Sequence, residues 1–331
     1  CEPDRVPAIA EAVDRLGVPT YLSGMARGLL GARHSLHCRH QRRAALKKAD
    51  LVILAGVPCD FRLDYGRSIA KGATLISANR SRQDLKLNRN PDIAVPADPG
   101  CLLVDLARAA PAAADAWSEW REQLATRDAA REEEIDQQGA AGGERVNPVA
   151  LCRAVNDALP EDSVVVADGG DFVGTASYIV RPRAPLTWLD PGAFGTLGVG
   201  AGFALGAKLC RPEAEVWIMF GDGSLGYSIT EFDTFIRHEL PVIAVVGNDA
   251  CWSQIAREQV KLLEDDTGVM LGRTDYHRVV AGFGAGGLLI ERDDESADVL
   301  GQARDVAAGG HAVLVNALLD RSDFREGSIS I

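Results

Sequence analysis

The 331 residues carry 35 lysines and arginines against 47 aspartates and glutamates, a net charge of −12, with 47% hydrophobic and 25% charged residues. That length allows two compact domains with sizeable cores, and the composition is that of a globular chain. The acidic balance argues against nucleic acid as a partner, because such binders present a basic face, and an anionic ligand would need local help from metal ions and backbone N–H groups.

Residues 9–16 read as a helix, 18–22 as a short strand and 42–48 as a second helix. Residues 51–56 form a continuous apolar run ending in Gly56, the pattern of a strand buried on both faces, and 73–77 reads as another strand. Strands alternating with helices predict an α/β fold with a doubly wound, mostly parallel sheet. Residues 1–110 are expected to form this first domain. Residues 112–138 are a charged, alanine-rich helical stretch in which Trp117 and Trp120 form a packing stripe, and the run Gly139-Ala140-Ala141-Gly142-Gly143 breaks it. Residues 111–146 are therefore read as a helical linker. A second α/β domain, 147–331, opens with the cap-and-proline pair Asn147-Pro148, with strands at 163–167, 216–220, 242–246 and 312–316.

The seven cysteines (Cys1, Cys38, Cys59, Cys101, Cys152, Cys210 and Cys251) are odd in number and contain no C-x-x-C, which reads as reduced, buried thiols. His34, His37 and His40 surround Cys38. Zinc ligands of this kind come with a second, distant set, so the segment reads as a polar surface loop. Gly282 to Gly287 matches G-x-G-x-x-G in form, but it precedes the strand-like run 288–290 and reads as a turn. No apolar stretch reaches the length of a membrane span and no signal peptide opens the chain. Cys1-Glu2-Pro3-Asp4 leads straight into a helix, as expected of a fragment whose N-terminal part lies elsewhere.

The strongest chemical signal is Gly221-Asp222-Gly223-Ser224, directly after the strand 216–220. Small residues at the carboxyl end of a parallel strand let backbone N–H groups approach a ligand, and an acid there can hold Mg²⁺ against a diphosphate. The next strand ends in Gly247-Asn248-Asp249. Adjacent parallel strands would bring Asp222 and this pair to one sheet edge.

These residues resemble the motif of thiamine-diphosphate enzymes, which opens with Gly-Asp-Gly and closes with two asparagines. Asp249 stands 27 residues after Asp222 and Asn248 stands 26 after it. The register that fits best puts Asp249 where the family has its second metal-ligating asparagine, with Asn248 as the alternative. The resemblance adds the backbone carbonyl of Cys251 as third ligand. Gly195-Thr196-Leu197-Gly198 resembles the stretch in which an apolar residue wedges the cofactor into its bent form. By that match Leu197 is the wedge and the Gly195 carbonyl faces the 4′-amino group. Asp168-Gly169-Gly170-Asp171 resembles the first diphosphate-contacting loop, and Gly223 and Ser224 would cradle phosphate.

The first domain is similar to the family's central domain. The resemblance narrows to animal acetolactate synthase-like proteins, the 2-hydroxyacyl-CoA lyase 2 group, on Gly24-Met25-Ala26-Arg27-Gly28-Leu29-Leu30-Gly31, Cys59-Asp60-Phe61-Arg62-Leu63, Arg237-His238 and the ending 323–329. It implies thiamine diphosphate and Mg²⁺ as cofactors, carbon–carbon cleavage of a 2-hydroxyacyl-CoA to a fatty aldehyde and formyl-CoA, and a homodimer or homotetramer with an active site shared between subunits. The activating glutamate would lie in an upstream pyrimidine domain, so the catalytic residue is not assigned and the isolated chain is expected to be silent. Two alternatives stand beside the lyase: acetolactate synthesis from 2-keto acids, and a non-catalytic regulatory or scaffolding remnant. FAD or ADP in the central domain is not favoured, since the Asn79-Arg80 loop fits either poorly. The 324–331 tail could shape the acyl pocket. An animal-like parent would sit at the endoplasmic reticulum membrane through an upstream anchor, and another parent in the cytoplasm.

Overall fold

The computed structural model describes residues 2–110 and 117–326. Cys1, residues 111–116 and the 327–331 part of the expected acyl-pocket tail lie outside them. Two compact units are present among the described residues. The first takes in residues up to 23 and 33–132, and the second residues 24–32 and 133–326.

The first unit begins with helix α1 (Val6–Leu16), stopped by Gly17 in the left-handed region, whose N–H returns to the carbonyls of Val13 and Asp14. Helix α2 (Arg42–Leu46), strands β1 (Leu51–Ala55), β2 (Thr74–Ala78) and β3 (Ile93–Val95), and helix α3 (Pro99–Ala109) follow. The strands pair in parallel in the order β1-β2-β3. The expected strand at 18–22 is absent: Thr20 makes one isolated bridge to His37. Pro19 has no N–H with which to extend a ladder. The histidine-rich segment is not wholly the polar surface loop read from the sequence: His40 is buried against Glu132 at 2.8 Å and Cys38 is buried, while His34 faces Asp14 at 3.5 Å. Arg80, in the loop after β2, is ion-paired to Asp98 and Glu2. Cys38 and Cys59 are buried, whereas Cys101 is exposed. Helix α4 (Ser118–Gly139) packs Trp120 against Cys38, Ala45 and Leu124, while Trp117 stays 38% exposed.

In the second unit, α5 (Pro148–Ala158) is capped by Asn147, whose Oδ1 accepts the Val149 N–H at 2.9 Å. Then come β4 (Val164–Ala167), α6 (Asp171–Ile179), β5 (Trp188–Leu189), α7 (Gly200–Cys210), β6 (Val216–Gly221), α8 (Asp222–Leu225), α9 (Glu231–Arg237), β7 (Ile243–Asn248), α10 (Ser253–Leu263), α11 (Tyr276–Ala281), β8 (Gly286–Ile290), α12 (Ser296–Ala308) and β9 (Val313–Leu318). The six strands are all parallel, in the order β5-β4-β6-β7-β9-β8. Along β6 and β7 the side chains alternate between two cores. Trp217, Met219, Ile243 and Val245 face one core with α5, α6 and α12, and Ile218, Phe220, Ala244 and Val246 face the other with α7, α9 and α11. Burial on both faces explains why these strands read as unbroken apolar runs. Among the described residues no helix is long and apolar enough to cross a membrane.

Phe232 and Phe235 of α9 meet edge to face at 5.5 Å, almost fully buried. Phe232→Ala is expected to destabilise the second unit by about 3–5 kcal/mol, the usual cost of emptying such a site, measured by denaturant unfolding.

Candidate active site

Strand register builds the site. Gly221 of β6 lies opposite Gly247 of β7, so Asp222 and Asp249 step off neighbouring parallel strands at their carboxyl ends. Asp222 is 3% exposed. Its Oδ1 accepts the Gly223 N–H at 2.8 Å, and its buried Oδ2 has no hydrogen-bond partner. Burial and the neighbouring charge of Asp249 push the Asp222 carboxyl up to about 7, against the pull of N–H groups from Gly223, Ala250 and Cys251. Asp249 accepts the Cys251 N–H at 3.1 Å on Oδ1 and the Ser253 hydroxyl at 2.5 Å on Oδ2. Burial raises its pKa as well, with Asp171 adding a further negative charge nearby.

Asn248 is fully buried; its amide nitrogen donates to the Thr274 carbonyl at 3.1 Å and the Asn316 Oδ1 at 3.2 Å, and its own Oδ1 has no hydrogen-bond partner. The residue between the acid and the turn, Ala250, takes a left-handed conformation at φ 57°, which separates the directions of Asn248 and Asp249 from that of Cys251.

The loop after β4 meets the loop before α7. Asp168 is fully buried, with its two oxygens accepting the N–H groups of Gly198 at 2.8 Å and Gly200 at 2.6 Å. Both oxygens are thus engaged in holding residues 198–200. A side chain at Gly169 would strike Leu197, and one at Gly223 would lie 2.5 Å from the Trp252 ring. Close approach of the rigid ring requires glycine at Gly223, whereas at Gly169 the Leu197 side chain would have to move. The Ser224 hydroxyl donates to the Gly169 carbonyl at 3.0 Å or to that of Gly221 at 3.1 Å, binding the two loops to each other. Gly170, in a left-handed conformation, precedes α6, and Asp171 opens that helix. Asp171 pairs with Arg257 of α10 at 2.7 Å, while its Oδ1 is buried without a partner. Gly195 and Thr196 are exposed at the rim, beside Phe194 at 93% exposure.

Asp168, Gly169, Gly170, Asp171, Leu197, Gly221, Asp222, Gly223 and Ser224 therefore meet around the ends of β4 and β6, and Asp249 and Cys251 join them from β7. Asn248, at the end of β7, is bonded to Thr274 and Asn316. Among the described residues no three His, Cys, Asp or Glu side chains form a metal-ligating cluster. A cation here would rest on two carboxylates, a backbone carbonyl and oxygens of its ligand. The donor chemistry fits one: the orphaned buried oxygens of Asp222, Asp171 and Asn248 are all acceptors, and two adjoining buried acids call for positive charge.

Sequence reasoning missed Arg257, Trp252, Ser253 and Arg273. Trp252 and Ser253 directly follow the recognised turn, which is a signal. Arg257 lies in a charged helix and reads only as solvated surface. A cavity of about 580 Å³ opens in the first unit beside Tyr65, Lys71 and Arg89, and no candidate residue lines it.

Comparison with known proteins identifies both units. Residues 168–317 match the family described as thiamine pyrophosphate enzyme, C-terminal TPP binding domain, and residues 3–106 match thiamine pyrophosphate enzyme, central domain. The 2-hydroxyacyl-CoA lyase 2 of Bos taurus is 52% identical over 328 residues, 97% of this chain and 52% of that protein. Its Homo sapiens counterpart is 50% identical over 337 residues, 99% and 53%. A probable acetolactate synthase of Mycobacterium bovis is 33% identical over 322 residues, 95% and 57%. Among solved structures, the thiamine diphosphate-dependent 4-hydroxybenzoylformate decarboxylase of Rhodococcus jostii RHA1 shares the fold with a TM-score of 0.75 at 18% identity, covering 96% of this chain and 59% of that one. The chain spans about half the length of the curated relatives it matches.

The charge at Asp222 has a pH consequence. The unfolded chain ionises this group at its ordinary 3.8, whereas the folded, metal-free chain keeps the proton up to about 7. Between those values the folded state binds more protons than the unfolded state, so this contribution to stability falls as pH rises. Denaturant unfolding of the metal-free protein from about pH 4 to about pH 8 should show that decline. Asp222→Asn should flatten it, and an unaltered slope would contradict the assignment.

Proposed function

The chain belongs to the thiamine pyrophosphate enzyme family, and on that premise we propose that it is the cofactor-binding part of a lyase that cleaves 2-hydroxyacyl-CoA to a fatty aldehyde and formyl-CoA. One observation carries this reading. About half the residues are identical, along 97% of the chain, to proteins named 2-hydroxyacyl-CoA lyase 2, against 33% for a probable acetolactate synthase. The cofactor is thiamine diphosphate with a divalent metal such as Mg²⁺.

When bound, thiamine diphosphate supplies an electron sink beside the carbon–carbon bond that breaks. The residues described here bind and orient it. We assign Asp222, Asp249 and the Cys251 carbonyl to Mg²⁺, since the carboxylates stand on adjacent strand ends and their combined charge matches the cation. Asn248 stays the alternative, since its amide nitrogen donates to Thr274 and Asn316 while its buried Oδ1 has no hydrogen-bond partner; Asp249 is preferred on its spacing from Asp222 and its charge. Gly169, Gly170, Gly221, Gly223 and Ser224 form the floor for the diphosphate. Asp168 holds the loop that presents Gly195, Thr196 and Leu197, with Leu197 setting the bend of the cofactor. The partner we assign is a second copy of the protein, in a homodimer or homotetramer, on the resemblance drawn from the sequence.

In the intact protein, Asp222→Ala and Asp249→Ala are each expected to weaken Mg²⁺-dependent thiamine diphosphate binding by more than roughly 100-fold, beyond the loss typical of outer-sphere residues. Asn248→Ala should do less. Calorimetric titration of the three variants checks the order, and a larger loss at Asn248 would reverse the assignment. For the reaction, the protein with both cofactors is incubated separately with a long-chain 2-hydroxyacyl-CoA and with pyruvate. Aldehyde release from the acyl-CoA is expected. Acetolactate from pyruvate without aldehyde would move the reading to the carboligase.

A further inference from the structure

Arg273 lies in the segment between α10 and α11, in no recognised motif. Its guanidinium donates from Nη1 to the Asn248 carbonyl at 2.8 Å and from Nη2 to the Leu319 carbonyl at 3.0 Å. Asn248 ends β7 and Leu319 follows β9, so one side chain ties the carboxyl ends of two paired strands. The planar fork suits this task, since its two N–H directions meet two separate carbonyls, where a lysine offers a single point charge. The following residue, Thr274, gives its carbonyl to the amides of both Asn248, at 3.1 Å, and Asn316, at 3.2 Å. Asn316 is fully buried in β9, and its Oδ1 takes the second Asn248 bond.

The same segment grips the turn through the backbone. Trp252 N–H donates to the Val269 carbonyl at 2.8 Å, and Leu271 N–H to that of Ala250 at 2.9 Å. Residues 249–252 are therefore fastened to residues 269–274 along their length. The turn has reason to be held. Ala250 sits at φ 57°, a conformation that costs a residue with a Cβ roughly 1–2 kcal/mol and persists only where its surroundings over-determine it.

We infer that Arg273, assisted by Asn316, is a positioning residue for the metal-binding turn: it fixes the strand ends from which Asp249 and the Cys251 carbonyl project, and the Asn316 contact ties the Asn248 amide nitrogen to β9. This rests on the reading of Asp222 and Asp249 as ligands. It extends that site to the segment between α10 and α11, and it makes metal affinity depend on the shape of a guanidinium.

The test uses Mn²⁺ as a paramagnetic stand-in for Mg²⁺, with thiamine diphosphate present and free Mn²⁺ followed by its electron spin resonance signal. Arg273→Lys keeps the charge and loses the fork, and Asp249→Ala reports on the ligand assignment itself. Arg273→Lys should weaken Mn²⁺ binding by roughly 10-fold to 100-fold, the range for residues that orient metal ligands. A lowered melting temperature with unchanged Mn²⁺ affinity would show a merely structural residue and overturn the inference. If Arg273→Lys does not fold, Asn316→Ser answers by the same two readouts. If Asp249→Ala leaves Mn²⁺ binding unchanged, or the unaltered protein takes up none, the ligand assignment fails separately. Amide exchange at residues 250–252 then decides the clamp: faster exchange confined to those residues in Arg273→Lys supports it, and unchanged exchange overturns it.

Discussion

Asp222 and Asp249 end neighbouring parallel strands, buried together, and that shared burial is the constraint on which the second unit depends. Taking a carboxylate out of water without a partner is costly, and two side by side add mutual repulsion. In the metal-free chain the cost is met by raising the Asp222 pKa toward neutrality. A divalent cation meets it differently, by letting both groups stay ionised. The strand pairing itself cannot relax away from this arrangement, because Gly221 and Gly247 are fixed in register by apolar strands packed on both faces.

Everything around the two acids serves approach and shape. Gly223 leaves room for the Trp252 ring and Gly169 for Leu197, so chain reaches the carboxyl ends of the strands closely from two sides. Asp168 and Ser224 hold the loops that carry these glycines, each through backbone groups of the opposite loop. A ligand with phosphate groups at one end and a flat ring system at the other is matched by such a floor, with a small-residue cradle beside a cation site and an apolar side chain above it.

The parallel fold and the acid at Asp222 were legible in the sequence for one physical reason. Strands buried on both faces must be continuous apolar runs, and a small-residue turn after such a run has few purposes. The short strands Ile93–Val95 and Trp188–Leu189 carried too few residues to show a period. The apparent strand at 18–22 failed at Pro19. The bonding of Asn248 was not legible, because its partners at 274 and 316 are distant in sequence. One trace of that network did stand in the sequence: Asn316 interrupts an otherwise apolar strand, and a buried asparagine in such a place needs polar partners. Arg273 left none, since an arginine in a polar loop looks like surface until its carbonyl partners are seen.

The central claim is that a divalent cation sits between two aspartates. Anomalous diffraction from crystals of the protein grown with Mn²⁺ and thiamine diphosphate tests it most directly. The account predicts one anomalous peak bonded to Asp222, Asp249 and the Cys251 carbonyl, with the Asn248 amide still on Thr274 and Asn316. A peak coordinated by Asn248, or no peak beside Asp222, would contradict it.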